Sequence, residues 1–214
     1  MRVSTRIALA AAPLLVMGLA ATPAARAVEP RPAASAVAPV TWRIDTAHSE
    51  LTFRIRHLVS RVNGSFNQWS GTIVADPASL AGGSVQVDIQ TASIDTNNER
   101  RDTHLRSDDF FDAPNHPVIT FRSTRVTVNG RDLRVAGNLT MRGVTKPVVL
   151  EGRMLEVSGA PGRRRIGFEA STTINRMDYG VSWNRAAEGG GVTLGDEVTI
   201  SIAVEAVEQA PAAS

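Results

Sequence analysis

The densest chemistry in this 214-residue chain lies between Ala92 and Phe121, A-S-I-D-T-N-N-E-R-R-D-T-H-L-R-S-D-D-F-F-D-A-P-N-H-P-V-I-T-F. Carboxylates and imidazoles suit divalent ions, so Asp102, His104, Asp108, Asp109, Asp112 and His116 form a candidate ligand set. Their spacing argues against it. Asp102 and His104 are two apart and point to different sides of a helix, and neither a thiol nor an H-E-x-x-H pairing supports them, so no metal is expected. Nucleophilic catalysis has no G-x-S-x-G elbow and no cysteine to build on. His48 and Ser49 are adjacent, which in a strand turns them to opposite faces. Gly189-Gly190-Gly191 lacks a phosphate-binding fingerprint and reads as a loop. Hydrolysis by a carboxylate pair stays open because acids are abundant, although nothing selects a pair. The enzyme reading is therefore a lipid-modifying or hydrolytic activity on His104 and its neighbouring acids. A binding reading uses the same stretch differently. Arg100, Arg101 and His104 are suited to donate hydrogen bonds to an anionic or carbonyl oxygen, arginine giving bidentate contacts. Asn175, Arg176 and Asp178 come from a second loop that can close over the same mouth. Ion pairing with Glu99, Asp102 and Asp108 is the competing role for the first set, and turn capping for the second.

Something must position these groups, and the amino terminus is not part of it. Met1 to Ala27 has the anatomy of a secretory signal peptide: Arg2 and Arg6, an apolar run from Ile7 to Ala21, then Ala25-Arg26-Ala27 as a small-x-small site. Without Arg2, Arg6 and Arg26 the 23 basic residues fall to 20 against 21 acids, so the formal charge goes from +2 to −1. That balance points to no nucleic acid and to no anionic surface. With no cysteine, an exported chain has neither a disulfide framework nor a lipobox anchor, and its stability must come from a core. Residues 28–40 are Pro/Ala-rich and read as a disordered linker, residues 209–214 as a disordered tail, and residues 41–208 as one domain.

Within that domain the pattern is period-two alternation, the mark of strands with one buried face. Leu51, Phe53 and Ile55 alternate with Thr52, Arg54 and Arg56, and Val85, Val87 and Ile89 with Gln86, Asp88 and Gln90. Further apolar faces run through Ile119 to Val128, Leu133 to Met141 and Val148 to Met154, then Ile166 to Ala170 and Val198 to Ala206. Asn129-Gly130 predicts a type I′ hairpin and Gly137 a bulge or bend. Residues 142–147 read as a turn. Counting Ser65 to Ala75 gives eight strands, with a short ninth at Thr41 to Ile44. Eight antiparallel strands on short turns can close into a barrel that is filled or holds one small ligand. Helical signal is confined to His57–Val62 and to Thr96-Asn97-Asn98-Glu99, a capping-box pattern opening a short helix.

Taken together, W-R-I-D-T-A-H-S near residue 42, V-N-G-S-F before Trp69, S-I-D-T with E-R-R-D-T-H-L and D-F-F-D, and H-P-V-I-T-F closely resemble the YceI-like family of polyisoprenoid-binding proteins. G-N-L-T-M-R-G-V-T-K-P-V and I-N-R-M-D-Y-G-V-S-W do so too. The resemblance spans Thr41 to about Val207. Tyr179 departs from it, standing where the family usually places Phe. It implies an all-β, eight-stranded, antiparallel up-and-down lipocalin-like barrel with one or two short helices at its mouth. It also implies a periplasmic or secreted location and an apolar pore for an isoprenoid chain of quinone or prenyl phosphate type. Phe53, Ile55, Phe66, Trp69, Ile89, Phe121, Leu139, Phe168, Trp183 and Ile200 are then expected to wall that pore, where composition alone would let them fill a core. Arg100, Arg101, His104, Asn175 and Arg176 are expected at the head group. The expected partner is the isoprenoid lipid, with no cofactor, no metal and no catalysis, and with transient membrane contact and a homodimer both compatible. A chain with a filled core and a purely structural role is the third reading.

Overall fold

The computed structural model describes residues 38–77, 79–186, 190 and 192–210. The expected signal peptide, the linker up to residue 37 and the tail from residue 211 lie outside the described residues. Among those described, Val40, assigned to the linker by composition, already begins a strand.

The strand segments are β1 Val40–Ile44, β2 Glu50–His57, β3 Ser60–Phe66, β4 Trp69–Ala75, β5 Ser84–Gln90 and β6 Ile94–Asp95. They continue with β7 Val118–Asn129, β8 Asp132–Met141, β9 Val144–Ser158, β10 Arg165–Asn175 and β11 Leu194–Glu208. All pairings are antiparallel. The order β1-β4-β5-β7-β8-β9-β10-β11 closes on itself through the pairing of β1 with β11. Next to β1 on the same edge of β11 runs β2, which pairs with β3, and β3 with β6. Thus β1/β2, β3/β4 and β5/β6 are three strands, each broken once, and the closed antiparallel barrel has eight. Closure pairs most of the strand edges, but β9 and β10 part beyond Glu151 and Ser171.

Alternation explains the walls. In β8, Leu133, Val135, Leu139 and Met141 are buried while Asp132, Arg134 and Asn138 are exposed. One end is filled by Trp42, Ile44, Ile73, Ala75, Leu80, Ile166, Val204 and Ala206. Trp42 is fully buried, and Arg164 lies over its ring, 5.6 Å from the centroid. That leaves the barrel's other end to carry the site.

Several local expectations are corrected. His57–Val62 is not helical: it is the tip of the β2–β3 hairpin, with Leu58 at φ 51°. The pairing of Arg56 with Arg61 and Ile55 with Val62 extends a sheet that has a partner in β11, which overrides a weak local helix signal. Ser65–Ala75 is broken at Asn67-Gln68. Asn67 instead bonds Asp95 through its side chain and Ser93 through its backbone N–H. Asn129 lies in β7 opposite Asp132, so the two-residue loop is Gly130-Arg131, with positive φ at Gly130 alone. The sign pattern of a type I′ turn belongs instead to Arg142 and Gly143, at φ 49° and 73°, and Val144–Pro147 are strand. Opposite Gly137 the extra residue is in β7, between Ser123 and Arg125, because the Phe121 ring occupies the space a Cβ at 137 would need. One α-helix, α1, Glu99–Arg106, is present among the described residues.

Candidate functional site

α1 is held by its own polar residues. Its cap is Asn98, not Thr96: the Asn98 side chain accepts from the Arg101 N–H at 3.0 Å. Thr96 is used elsewhere. Its N–H and hydroxyl donate to Asp102 Oδ1, at 3.0 and 2.5 Å, and Asp102 is buried. Arg101 Nε donates to Thr96 Oγ1 at 2.6 Å and its Nη2 to the Thr96 carbonyl at 2.7 Å. Arg106 donates to the carbonyls of Ala92 and Ile94, fastening the helix to β6. Acids in the first turn and bases in the last complement the helix dipole. The charge density of this stretch is thus largely spent on seating a short helix with little apolar face of its own. Arg100 and Asp108 are exposed and without a side-chain partner among the described residues, and of the two Arg100 is on the rim of the cavity.

Beneath α1 the barrel holds a cavity of about 710 Å³. Phe53, Ile55, Phe66, Trp69, Ile89, Phe121, Leu139, Phe168 and Ile200 line it from the strands. Trp183 also lines it, but from the segment between β10 and β11 rather than from a strand. There it builds a collar: Trp183 stands 5.2 Å from Phe110, and the His104 ring meets both edge-on at 5.0 and 4.9 Å. Phe111 packs edge-on against Phe66 at 5.9 Å. His104 Nε2 is hydrogen-bonded to Asp109 at 2.7 Å.

Arg176 lies in a 3-10 turn, Arg176–Tyr179, and is 3% exposed. Its Nε donates to the Gly195 carbonyl at 2.9 Å, and its Nη1 to those of Val181 and Trp183 at 2.6 and 2.9 Å. Gly195 belongs to an irregularity of β11, where pairing with β2 jumps from Leu194 to Val198. A buried arginine therefore supplies the donors that a broken ladder leaves its carbonyls wanting. Nη2 has no hydrogen bond and stands 3.6 Å from Asp196 Oδ1. Desolvation lowers the Arg176 pKa, partly offset by the Asp196 charge. Asn175 does not line the cavity; its side chain accepts from the Met177 N–H as a turn cap.

The charged groups on the cavity surface share one sign. Arg100, Arg101, Arg176 and Arg185 reach it, with His57 and His104, while no carboxylate does among the described residues. The acids of the 92–121 stretch do not gather as a ligand set. Asp45, His48 and Glu205 do come together elsewhere, but Arg165 pairs with both carboxylates, which offsets one of their two charges and occupies the cluster with a protein cation. Sequence reading overlooked Leu105, Phe110, Phe111, Val181 and Leu194 as lining residues. The Phe110-Phe111 pair in a polar stretch was the available signal; the others sit where no periodicity reports.

Residues 42–206 match the YceI-like domain family. Protein YceI of Escherichia coli O17:K52:H18 is 40% identical over 181 residues, 83% of this chain and 91% of that protein. The Campylobacter jejuni YCEI protein, solved as a crystal structure, is 36% identical with a TM-score of 0.63, covering 78% of this chain and 96% of that one. A polyisoprenoid binding domain from Saccharophagus degradans has the same fold, with a TM-score of 0.59 at 18% identity over 79% of this chain and 99% of its own.

Proposed function

We propose that this chain, which belongs to the YceI-like domain family, is an exported carrier that holds an isoprenoid lipid in its barrel without catalysis. The observation that carries the reading is the cavity: about 710 Å³, walled by aliphatic and aromatic side chains, with Arg100, Arg101, Arg176 and Arg185 coming to it from α1 and the segments between strands. Ligand pockets commonly run from about 300 to 1,000 Å³ with few convergent polar groups. A solved protein of the same fold is described as polyisoprenoid-binding, which supports the ligand class.

Energetics fit a carrier. Burying a chain gains about 0.8 kcal/mol per CH₂ relative to water. For some forty carbons that gross gain exceeds the ceiling of roughly 18 to 21 kcal/mol for non-covalent affinity. A membrane-dissolved tail is already dry, so transfer from bilayer to barrel is near balance and the lipid can be released. An all-cationic set of charges at the mouth favours an anionic head, a prenyl phosphate over a quinone, with Arg100 free to meet it. Hydrolysis on His104 has less support. Its Nε2 is committed to Asp109, and no hydroxyl bonds to the ring among the described residues.

The test is organic-solvent extraction, followed by mass spectrometry, of protein expressed with its own amino-terminal segment. Wild-type protein is expected to yield a long-chain isoprenoid, and Val198→Trp, which fills the cavity, to yield far less at the same melting temperature. An extract of wild-type protein without long-chain lipid overturns the reading.

A further inference from the structure

The cavity mouth carries a feature that ligand binding does not use. The β2–β3 hairpin ends in Leu58 and Val59; Leu58 is 42% exposed and Val59 fully so. Leu58 adopts the left-handed region at φ 51°, an uncommon conformation for a branched side chain. Its N–H bonds the Thr193 carbonyl, which brings the tip beside Val192, itself 58% exposed. Three aliphatic side chains thus project from one rim.

From residue 54 to residue 61 the hairpin's charged side chains are all cationic, while the facing irregularity of β11 carries Asp196, which stands by Arg176, and Glu197. Arg56 and Arg61 are directly opposite each other across the hairpin, both exposed. Like charges at that position are destabilising. Neither meets a carboxylate among the described residues, and neither does Arg54, two residues along the same face. Elsewhere on the barrel Arg122 pairs with Asp88, Arg134 with Glu151 and Arg153 with Glu169, while Arg43 and Arg125 stand singly, without a carboxylate among the described residues and without an arginine paired across from them. Arg56 Nε instead donates to the Leu58 carbonyl at 3.0 Å, bracing the apolar tip from within the cationic face.

Exposed aliphatic groups beside cations that meet no carboxylate among the described residues match the interface of an anionic bilayer, where apolar side chains enter the head-group layer and arginines meet phosphates. We propose that this end of the barrel docks on an anionic membrane surface, with Leu58, Val59 and Val192 inserted and Arg54, Arg56 and Arg61 against lipid head groups. His57 and Val62, next to the turn of the same hairpin, line the cavity, so docking presents its mouth to the lipid. The inference rests on the carrier reading, for it gives an isoprenoid a route that avoids water.

Sedimentation of the purified full chain with vesicles tests it, using phosphatidylcholine alone and phosphatidylcholine with phosphatidylglycerol. Binding is expected to require phosphatidylglycerol and to weaken as salt is raised. Arg56→Gln/Arg61→Gln should bind roughly 30-fold more weakly, each cation near an anionic surface contributing about 1 kcal/mol. Val59→Ser, which leaves the charge unchanged, should lose about tenfold through the aliphatic insertion alone. Arg125→Gln/Arg163→Gln, with the same charge change at unpaired arginines away from the hairpin, should bind as wild type. Equal binding by the Arg56/Arg61 variant, or no binding of wild type to either vesicle, overturns docking. Extraction of the same preparation separates the two readings: lipid recovered without vesicle binding sinks docking alone, and vesicle binding without recovered lipid sinks the carrier alone.

Discussion

Asp102 and Arg176 are two charges that sequence offered as chemistry and that the structure uses as fastenings. One receives the Thr96 N–H and hydroxyl, and the other feeds three carbonyls around the mouth. Neither role is legible in a linear sequence, because the partners of Arg176 sit five to nineteen residues away on segments without periodicity. Tyr179 is a further case. It is 1% exposed, its hydroxyl has no hydrogen-bond partner among the described residues, and burial, aided by the Asp178 charge, pushes its phenol up to about 12. In the unfolded chain a phenol titrates near 10. The folded state holds the proton more tightly, so stability is unaffected below about pH 10 and falls as pH rises from there towards 12. As the chain has a single tyrosine, phenolate absorbance reads this group alone. A midpoint near 12 is expected in native protein and near 10 in denaturant; a native midpoint near 10 contradicts the burial.

At the scale of elements, strand identity was readable wherever apolar and polar residues alternate, because a pleated strand turns successive side chains to opposite faces. What failed was punctuation. The β2–β3 tip looked helical, the capping box was offset, and the hairpin turn signals were one residue or one hairpin away. Backbone pairing across the barrel decides those points, and a sequence window does not contain the partner strand. Glycine supplies an element-scale test. Gly152 in β9 faces Ala170 in β10, and a Cβ there would collide with the Glu169 carbonyl oxygen. That atom is backbone within a paired ladder and has little freedom to yield. Gly152→Ala should destabilise by about 1 to 3 kcal/mol, the range for overpacking a close-packed site. Urea unfolding followed by tryptophan fluorescence measures it; an unchanged midpoint would mean that β9 and β10 approach less closely.

For the molecule as a whole, one end is shut and the other is functional. At the shut end Glu208 is buried and accepts from Gly162 N–H, Arg164 N–H and the Arg164 guanidinium, tying the β9–β10 loop to the last strand. Chiefly because of the Arg164 hydrogen bonds, its carboxyl is held at about 2, below the ordinary glutamate range. The folded pKa is depressed, so this stabilisation is fully present above the unfolded value near 4.3 and is lost as pH falls from there towards 2. Melting temperature measured from pH 6 to pH 2 should drop through that window in wild type. Glu208→Gln should start lower at pH 6 and show a shallower drop; parallel profiles would remove Glu208 from the acid response.

Sequence by itself determined the barrel and which side chains turn inward, because alternation is a local property that each strand carries within about ten residues. Nine of the ten residues expected to wall the pore reach the cavity from strands, and Trp183 reaches it from a loop. Only the tertiary structure decided which charges are spent and which are free. Arg100, Arg101 and Arg176 look alike in a linear chain, yet the first is exposed and unpartnered while the other two are bonded into the fold. Likewise, 23 basic against 21 acidic residues gave no hint of the arginines clustered on the β2–β3 hairpin, because net charge is a sum and says nothing of where each charge sits in space.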